Sequence, residues 1–155
     1  MDKKGNIRNI EERDLDTIDS WWEDRGEKPI LRDVLPEQGY GGFVLEVEGK
    51  IVAASYLYLT NSKMGYIDFV VSDKKWKGDE RWELILELLY TCYYAGIEAG
   101  CIEVWGMSLV PRLLERLKTM NTVISEDPHT FIKMGLNPGD VKVTSGYSIY
   151  KNEIK

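Results

Sequence analysis

The stretch Phe69-Val70-Val71-Ser72-Asp73-Lys74-Lys75-Trp76-Lys77-Gly78-Asp79-Glu80-Arg81 carries an apolar strand into a short polar turn, and the turn into a long helix. The helix spans roughly Glu80 to Ala99, with Trp82, Ile85, Leu86, Leu89, Tyr93 and Ile97 at helical spacing. A helix start leaves backbone N–H groups without intrahelical partners and carries the positive end of the dipole, so this junction suits an anion. Lys74, Lys75, Lys77 and Arg81 add cations, but Asp73, Asp79 and Glu80 stand among them and Gly78 is the turn's one glycine. Two readings therefore stay open: an anion site, or a surface helix whose acids stabilise its own N-terminus with no ligand.

Downstream, Gly100 is placed to stop the long helix. Cys101-Ile102-Glu103-Val104-Trp105 follows as a short strand, and a strand–helix–strand passage implies a parallel pair. Pro111 suits the first turn of a helix running to Met120, and residues 141–150 alternate as a last strand. Residues 121–140 give no clear pattern. Upstream, Phe43–Val47 and Ile51–Leu59 flank Glu48-Gly49-Lys50 as a hairpin, and Tyr66–Val71 completes a three-strand antiparallel meander. Ile7–Ile10 reads as a first strand, and Asp14 or Asp16 as the cap of a helix carrying Leu15, Ile18, Trp21 and Trp22. A second short helix is expected over Ile30–Leu35, ended by Pro36.

A chain of 155 residues suits one domain, 1–155, with a full core. The net charge of −6 argues against a nucleic-acid partner and leans toward a cationic one such as an amine, although it serves solubility equally well. Cys92 and Cys101 are too few for a disulfide framework or a zinc site and read as small buried hydrophobes in a reducing compartment. No metal is expected, because the lone His129 has no partner set by spacing. The N-terminus shows no apolar leader, and no apolar run nears the ~20 residues of a membrane span. A cytoplasmic chain without membrane association is expected, and the aromatic load is compatible with a homodimer.

The order of elements, with Ile7-Arg8, Asp14-Leu15 and Ile18, Val47-Glu48-Gly49-Lys50-Ile51-Val52-Ala53, Ile67–Val71 and Leu84-Ile85, resembles the GCN5-related N-acetyltransferase family over nearly the whole chain. The resemblance implies an α+β fold in α/β/α layers. Its mixed, mostly antiparallel sheet would have about six or seven strands with a parallel, splayed central pair, flanked by about four helices. The family's Gln/Arg-x-x-Gly-x-Gly/Ala loop is not intact. One register puts Trp76, Asp79 and Arg81 on its key positions; a shift by one puts Lys75, Gly78 and Glu80 there, keeps a cation and a glycine, and is preferred.

The resemblance further implies acetyl-CoA, or another acyl-CoA, as cosubstrate. Its pantetheine would pair along Phe69, Val70 and Val71, and its pyrophosphate would lie on Lys75, Trp76, Lys77, Gly78, Asp79, Glu80 and Arg81. A primary amine of a small molecule or peptide would attack the thioester directly. Asp68 is the first candidate base and Glu103 the second, each with an exposed strand carboxylate as the plain alternative. The tyrosine the family often uses to protonate the thiolate is missing from residues 111–120, leaving Ser108 as the nearest hydroxyl, itself a candidate helix cap. Trp21, Trp22 and Tyr40, with Asp14, Asp16, Asp19, Glu23 and Asp24, would border the acceptor; the same helix also reads as a solvated face carrying two core tryptophans. The alternative function is a non-catalytic ligand-binding or interaction module of the same fold.

Overall fold

The structure, a computed structural model, describes residues 5–106, 111–118, 130–133 and 142–145. Two compact units divide the chain, residues 1–107 and 108–155. In the first, β1 (Asn6–Asn9), β2 (Gly42–Val47), β3 (Lys50–Leu59), β4 (Met64–Ser72) and β5 (Glu103–Gly106) form one sheet in that order. Neighbours are antiparallel except β4 and β5, which are parallel, as a strand–helix–strand connection requires.

The sheet is covered on both faces, because successive side chains point to opposite sides. Val44, Ala54 and Tyr56 pack with Ile18 and Trp21 of α1 (Glu12–Glu23). Leu45 and Ala53 pack with Leu84 and Leu88 of α2 (Arg81–Glu98). Val52 to Leu57 of β3 are consequently buried without alternation. The hairpin between β2 and β3 turns through Glu48 (φ 53°) and Gly49 (φ 76°), the two left-handed residues a tight primed turn needs. Gly100 (φ 96°) ends α2 as expected, donating its N–H to the Ile97 carbonyl at 2.9 Å.

Three local expectations are corrected. The N-cap residue of helix α1 is Glu11, with Asp14 completing the capping box from the first turn, and Asp16 lies inside the helix. Asp14 lies in the first turn, buried, where it accepts the Glu11 N–H at 2.9 Å and two bonds from Arg8 at 2.7 and 2.9 Å. A carboxylate taken out of water needs such a cation. Pro36 does stop the short helix, with Leu35 before it extended, and the Pro36–Gly39 turn that follows is not helical, since Glu37 and Gln38 take left-handed φ of 49° and 56°. The expected helix is reduced to Arg32–Val34. Strand β5 begins at Glu103, and Cys101 is buried ahead of it.

The second unit contains α3 (Pro111–Leu117), opened by its proline, and an antiparallel pair of β6 (Thr130–Lys133) and β7 (Lys142–Ser145). Of the expected last strand, residues 142–145 are seen; Tyr147, Ile149 and Tyr150 lie outside the described residues, as does His129. The fold is the expected α+β class with a mixed, mainly antiparallel sheet. Among the described residues it has seven strands, in sheets of five and two, and three α-helices. No described helix is long and apolar enough to cross a membrane.

Candidate functional site

Strand β4 changes character halfway along. Its first residues pair with β5, from Met64 opposite Glu103 to Ile67 opposite Gly106. Asp68 to Ser72 continue past the last described β5 residue, Gly106, with no β5 partner among the described residues. The register with β3 slips at the same place: Tyr56 faces Asp68, but Ala54 faces Val71. One extra residue is accommodated in β4 by a bulge, and Phe69 takes a left-handed φ of 51°. That conformation costs a non-glycine residue about 1–2 kcal/mol. The Phe69 N–H is turned onto the Asp68 Oδ1 at 2.7 Å.

The bulge sets Asp68 among aromatic rings. Tyr58 and Tyr66 face each other across β3 and β4 with ring centroids 6.4 Å apart, two positions from the Tyr56–Asp68 pair and thus on the same sheet face. Phe69 lies 6.3 Å from Tyr58 and, edge-on, 6.3 Å from Trp22. The Tyr58 hydroxyl donates to the Val34 carbonyl at 3.0 Å, tying the segment before β2 to this face. That segment is held a second time by Arg32, which makes bonds of 3.1 and 2.6 Å to Asp19 of α1. Asp68 is half-buried, and burial pushes its carboxyl above the ordinary 3.8, partly offset by the Phe69 N–H. Burial, with the Asp68 charge adding, pushes the Tyr58 hydroxyl up to about 12 and raises that of Tyr66. Among the described residues Asp68 has no cationic partner.

Beyond the bulge, two guanidinium groups converge on Ser72. Arg25, just past α1, donates to the Ser72 carbonyl at 2.5 Å, and Arg81 donates to the Ser72 Oγ at 2.8 Å. Arg81 lies 5.6 Å from the ring centroids of both Trp76 and Trp82. Burial lowers its pKa and the charge of Arg25 lowers it further. Neither arginine forms an ion pair among the described residues. Lys74 reaches back to the Asp24 carbonyl at 2.6 Å. The N-cap of α2, Glu80, makes no side-chain bond to the helix. Two like charges without an acid between them fit an anionic ligand. One feature opposes it: Gly78 (φ 148°) is covered by the Glu80 carboxylate, whose Oε1 would be 3.1 Å from an added Cβ.

The other expected residues are dispersed. Trp21 is 3% exposed and belongs to the core, whereas Trp22 is half-buried and Tyr40 is exposed. Lys75, Lys77 and Asp79 are exposed, and the Lys75 N–H is taken by Asp73 Oδ1 at 2.8 Å. Val70 is half-buried and Val71 buried. Glu103 is exposed at the start of the parallel pair, opposite Met64, and accepts the Trp105 indole N–H at 3.0 Å. It stands four positions along from Asp68, about 13 Å at strand spacing. Ser108 lies outside the described residues. Arg25, Tyr58 and Tyr66 were not singled out from sequence. The two tyrosines alternate with Tyr56 and Asp68, a signal that becomes usable once the hairpin register is known. Arg25 has no local signal, since its contact with Ser72 spans 47 positions.

No protein-family profile matches this sequence, and no curated protein is similar to it. Solved structures are similar in fold. An acetyltransferase of Trypanosoma brucei has 19% identity and a TM-score of 0.58, over 86% of this chain and 99% of that one. An aminoglycoside acetyltransferase from an uncultured soil sample has 19% identity and a TM-score of 0.60, over 86% and 99%. A Mycobacterium tuberculosis protein in complex with CoA has 14% identity and a TM-score of 0.56, over 73% and 70%. At these identities the likeness is one of architecture: the chain has the fold shared by these acetyltransferases.

Proposed function

We propose that the chain is an acyl-CoA-dependent N-acyltransferase, transferring an acetyl group in its simplest form to a primary amine of a small molecule or peptide. The observation that carries this reading is the half-buried Asp68, which the β4 bulge sets beside Tyr58, Tyr66 and Phe69 with no cationic partner among the described residues. A half-buried carboxylate with a raised pKa is suited to take a proton.

The phosphates would be held by Arg81 and Arg25, with Lys75 and Lys77 as exposed cations nearby and the start of α2 adding its dipole. Backbone groups of Phe69 to Val71, which have no β5 partner among the described residues, are the proposed edge for the pantetheine. Bound acyl-CoA supplies an activated thioester carbonyl. The amine nitrogen forms the new C–N bond as the C–S bond breaks, the electron pair leaves with sulfur, and the ammonium proton passes to Asp68 and then to water. A thiolate leaves without obligatory acid help, so this reading does not depend on Ser108. Glu103 is less suitable because its carboxylate is engaged by Trp105. Trp22 and Tyr40 stay as candidates for the acceptor wall; Trp21 supports it from the core.

The non-catalytic reading is favoured by one observation, the Glu80 carboxylate lying against Gly78. Thermal unfolding with acetyl-CoA or CoA separates the two. Ligand at about 100 times its dissociation constant adds about 2.7 kcal/mol. No shift at millimolar ligand sinks the transferase reading. A shift without thiol release across an amine panel leaves a binding module.

A further inference from the structure

Helix α2 carries a stripe that takes no part in the site around Asp68. Glu87, Tyr90, Thr91 and Tyr94 fall three or four residues apart, so their side chains share one face of the helix. The Tyr90 and Tyr94 rings stack with centroids 6.2 Å apart and planes 22° from parallel, and Tyr93 meets Tyr94 edge-on at 5.4 Å. With Ile7 of β1, Glu87, Tyr90, Thr91 and Tyr94 line an open groove of about 450 Å³. Tyr94 is 59% exposed, which leaves its ring available to a ligand. Ile7 packs against Leu45, Leu84 and Leu88 on the α2 side of the sheet, whereas Asp68 stands opposite Tyr56 on the α1 side. Strand β1 is also three strands from β4, about 14 Å.

The groove offers acceptors. Glu87 is exposed and brings a carboxylate. The Thr91 hydroxyl donates its proton to the Glu87 carbonyl at 2.9 Å, which leaves its oxygen to accept. The tyrosine rings add π faces that attract a cation. Past Arg81, every charged residue of α2 is acidic: Glu83, Glu87 and Glu98. This lining calls for a ligand that is cationic, flat and rich in donors. A guanidinium stacks on an aromatic ring while its N–H fork meets a carboxylate, and it holds water less tightly than an ammonium does. The hydration term favours arginine over lysine here, because an ammonium in an open groove keeps its water. Openness also favours a peptide: a small ligand needs most of its surface covered, whereas a peptide adds contacts beyond the groove.

The geometry points to a docking groove between β1 and α2 for an arginine side chain presented by a peptide segment of a partner protein. The guanidinium meets Glu87 and the faces of Tyr90 and Tyr94, and the aliphatic stem lies along Ile7. This goes beyond acyl transfer and does not rest on it.

The test is fluorescence anisotropy of the full chain with a labelled Gly-Arg-Gly-Arg-Gly peptide, beside versions carrying lysine or citrulline, the uncharged isostere of arginine. The arginine peptide should bind saturably, about threefold or more tighter than the lysine peptide and about tenfold tighter than the citrulline peptide. Glu87→Gln and Tyr94→Leu should each weaken the arginine peptide about threefold, and together about tenfold. Both side chains are on the surface, so the melting temperature of the double variant should hold. Absence of saturable binding at millimolar peptide, equal binding of the arginine and lysine peptides, or arginine binding untouched by the double substitution overturns the inference. So does sedimentation in which the chain self-associates and the double substitution separates it, because the occupant is then a second copy.

Discussion

Two carboxylates on the α1 side of the sheet have opposite fates. Asp14 is 3% exposed, yet its pKa lies below the ordinary 3.8: burial pushes it up, but the paired bonds from Arg8, the Glu11 N–H and the Arg8 charge outweigh burial. Asp68 is less buried and yet raised, because no cation offsets the lost water. A compensated charge of the first kind holds β1 to the start of α1. The second kind opposes folding at neutral pH, and groups of this kind cluster at functional sites. Arg81 repeats the second pattern with the sign reversed, its pKa lowered by burial and then by the charge of Arg25.

The sharpest way to break this comparison is Asp68→Asn. If Asp68 is the base, kcat with a good amine should fall by about 10²–10⁴-fold, read as thiol release. Stability should move the other way. A folded pKa above the unfolded value gives a contribution fully present below about pH 3.8 and lost as pH rises through the folded pKa. At pH 7 the substitution therefore removes a penalty, and the melting temperature should stay level or rise slightly. A large loss of stability would make Asp68 a structural residue. The wild-type profile of kcat/KM should show an acidic limb with its midpoint above 3.8.

Asp14→Asn should do the reverse: acyl transfer per folded molecule stays near wild type while unfolding in urea loses about 3 kcal/mol, the low end for one partner of a buried pair. Here the folded pKa is depressed. The pair's contribution is present above about pH 3.8 and lost as pH falls through the lower folded value, so mutant and wild type should converge in strong acid. A difference that persists at low pH would mean that Arg8 and Asp14 contribute through packing more than charge.

Much of the fold could be read from the sequence because its cues are local. The Glu48-Gly49-Lys50 turn, the apolar stripe of α2, its stop at Gly100 and the proline opening α3 each depend on a few neighbouring residues. The site was legible only in part. Asp68 and Arg81 could be named, but not which carboxylate faces rings and which faces water, because that depends on register and a bulge displaces register by one. Nothing local marks Phe69 for a left-handed backbone. The capping part of Asp14 is legible, but its bonds from Arg8 are not: capping propensity is local, whereas the demand of Arg8 for a carboxylate arises when β1 and α1 pack. The convergence of Arg25 on Ser72 joins positions that sequence spacing cannot connect.

The smallest effects decide which cation holds the donor. Arg81→Gln removes one of two guanidinium groups that face each other without an acid, and should weaken CoA by about tenfold, the scale of a charge-assisted hydrogen bond. It should also relieve the repulsion with Arg25, so stability should hold or rise slightly. Lys75→Glu, on an exposed side chain whose backbone N–H is already occupied by Asp73, should cost only about two- to threefold, and this cost should shrink in added salt. If the order is reversed, with Lys75 dominant and Arg81 silent, the phosphates lie out along the exposed turn. The pairing of Arg25 with Arg81 would then be a structural strain with no anion to relieve it, and the contrast between the two kinds of charge would survive for the carboxylates only.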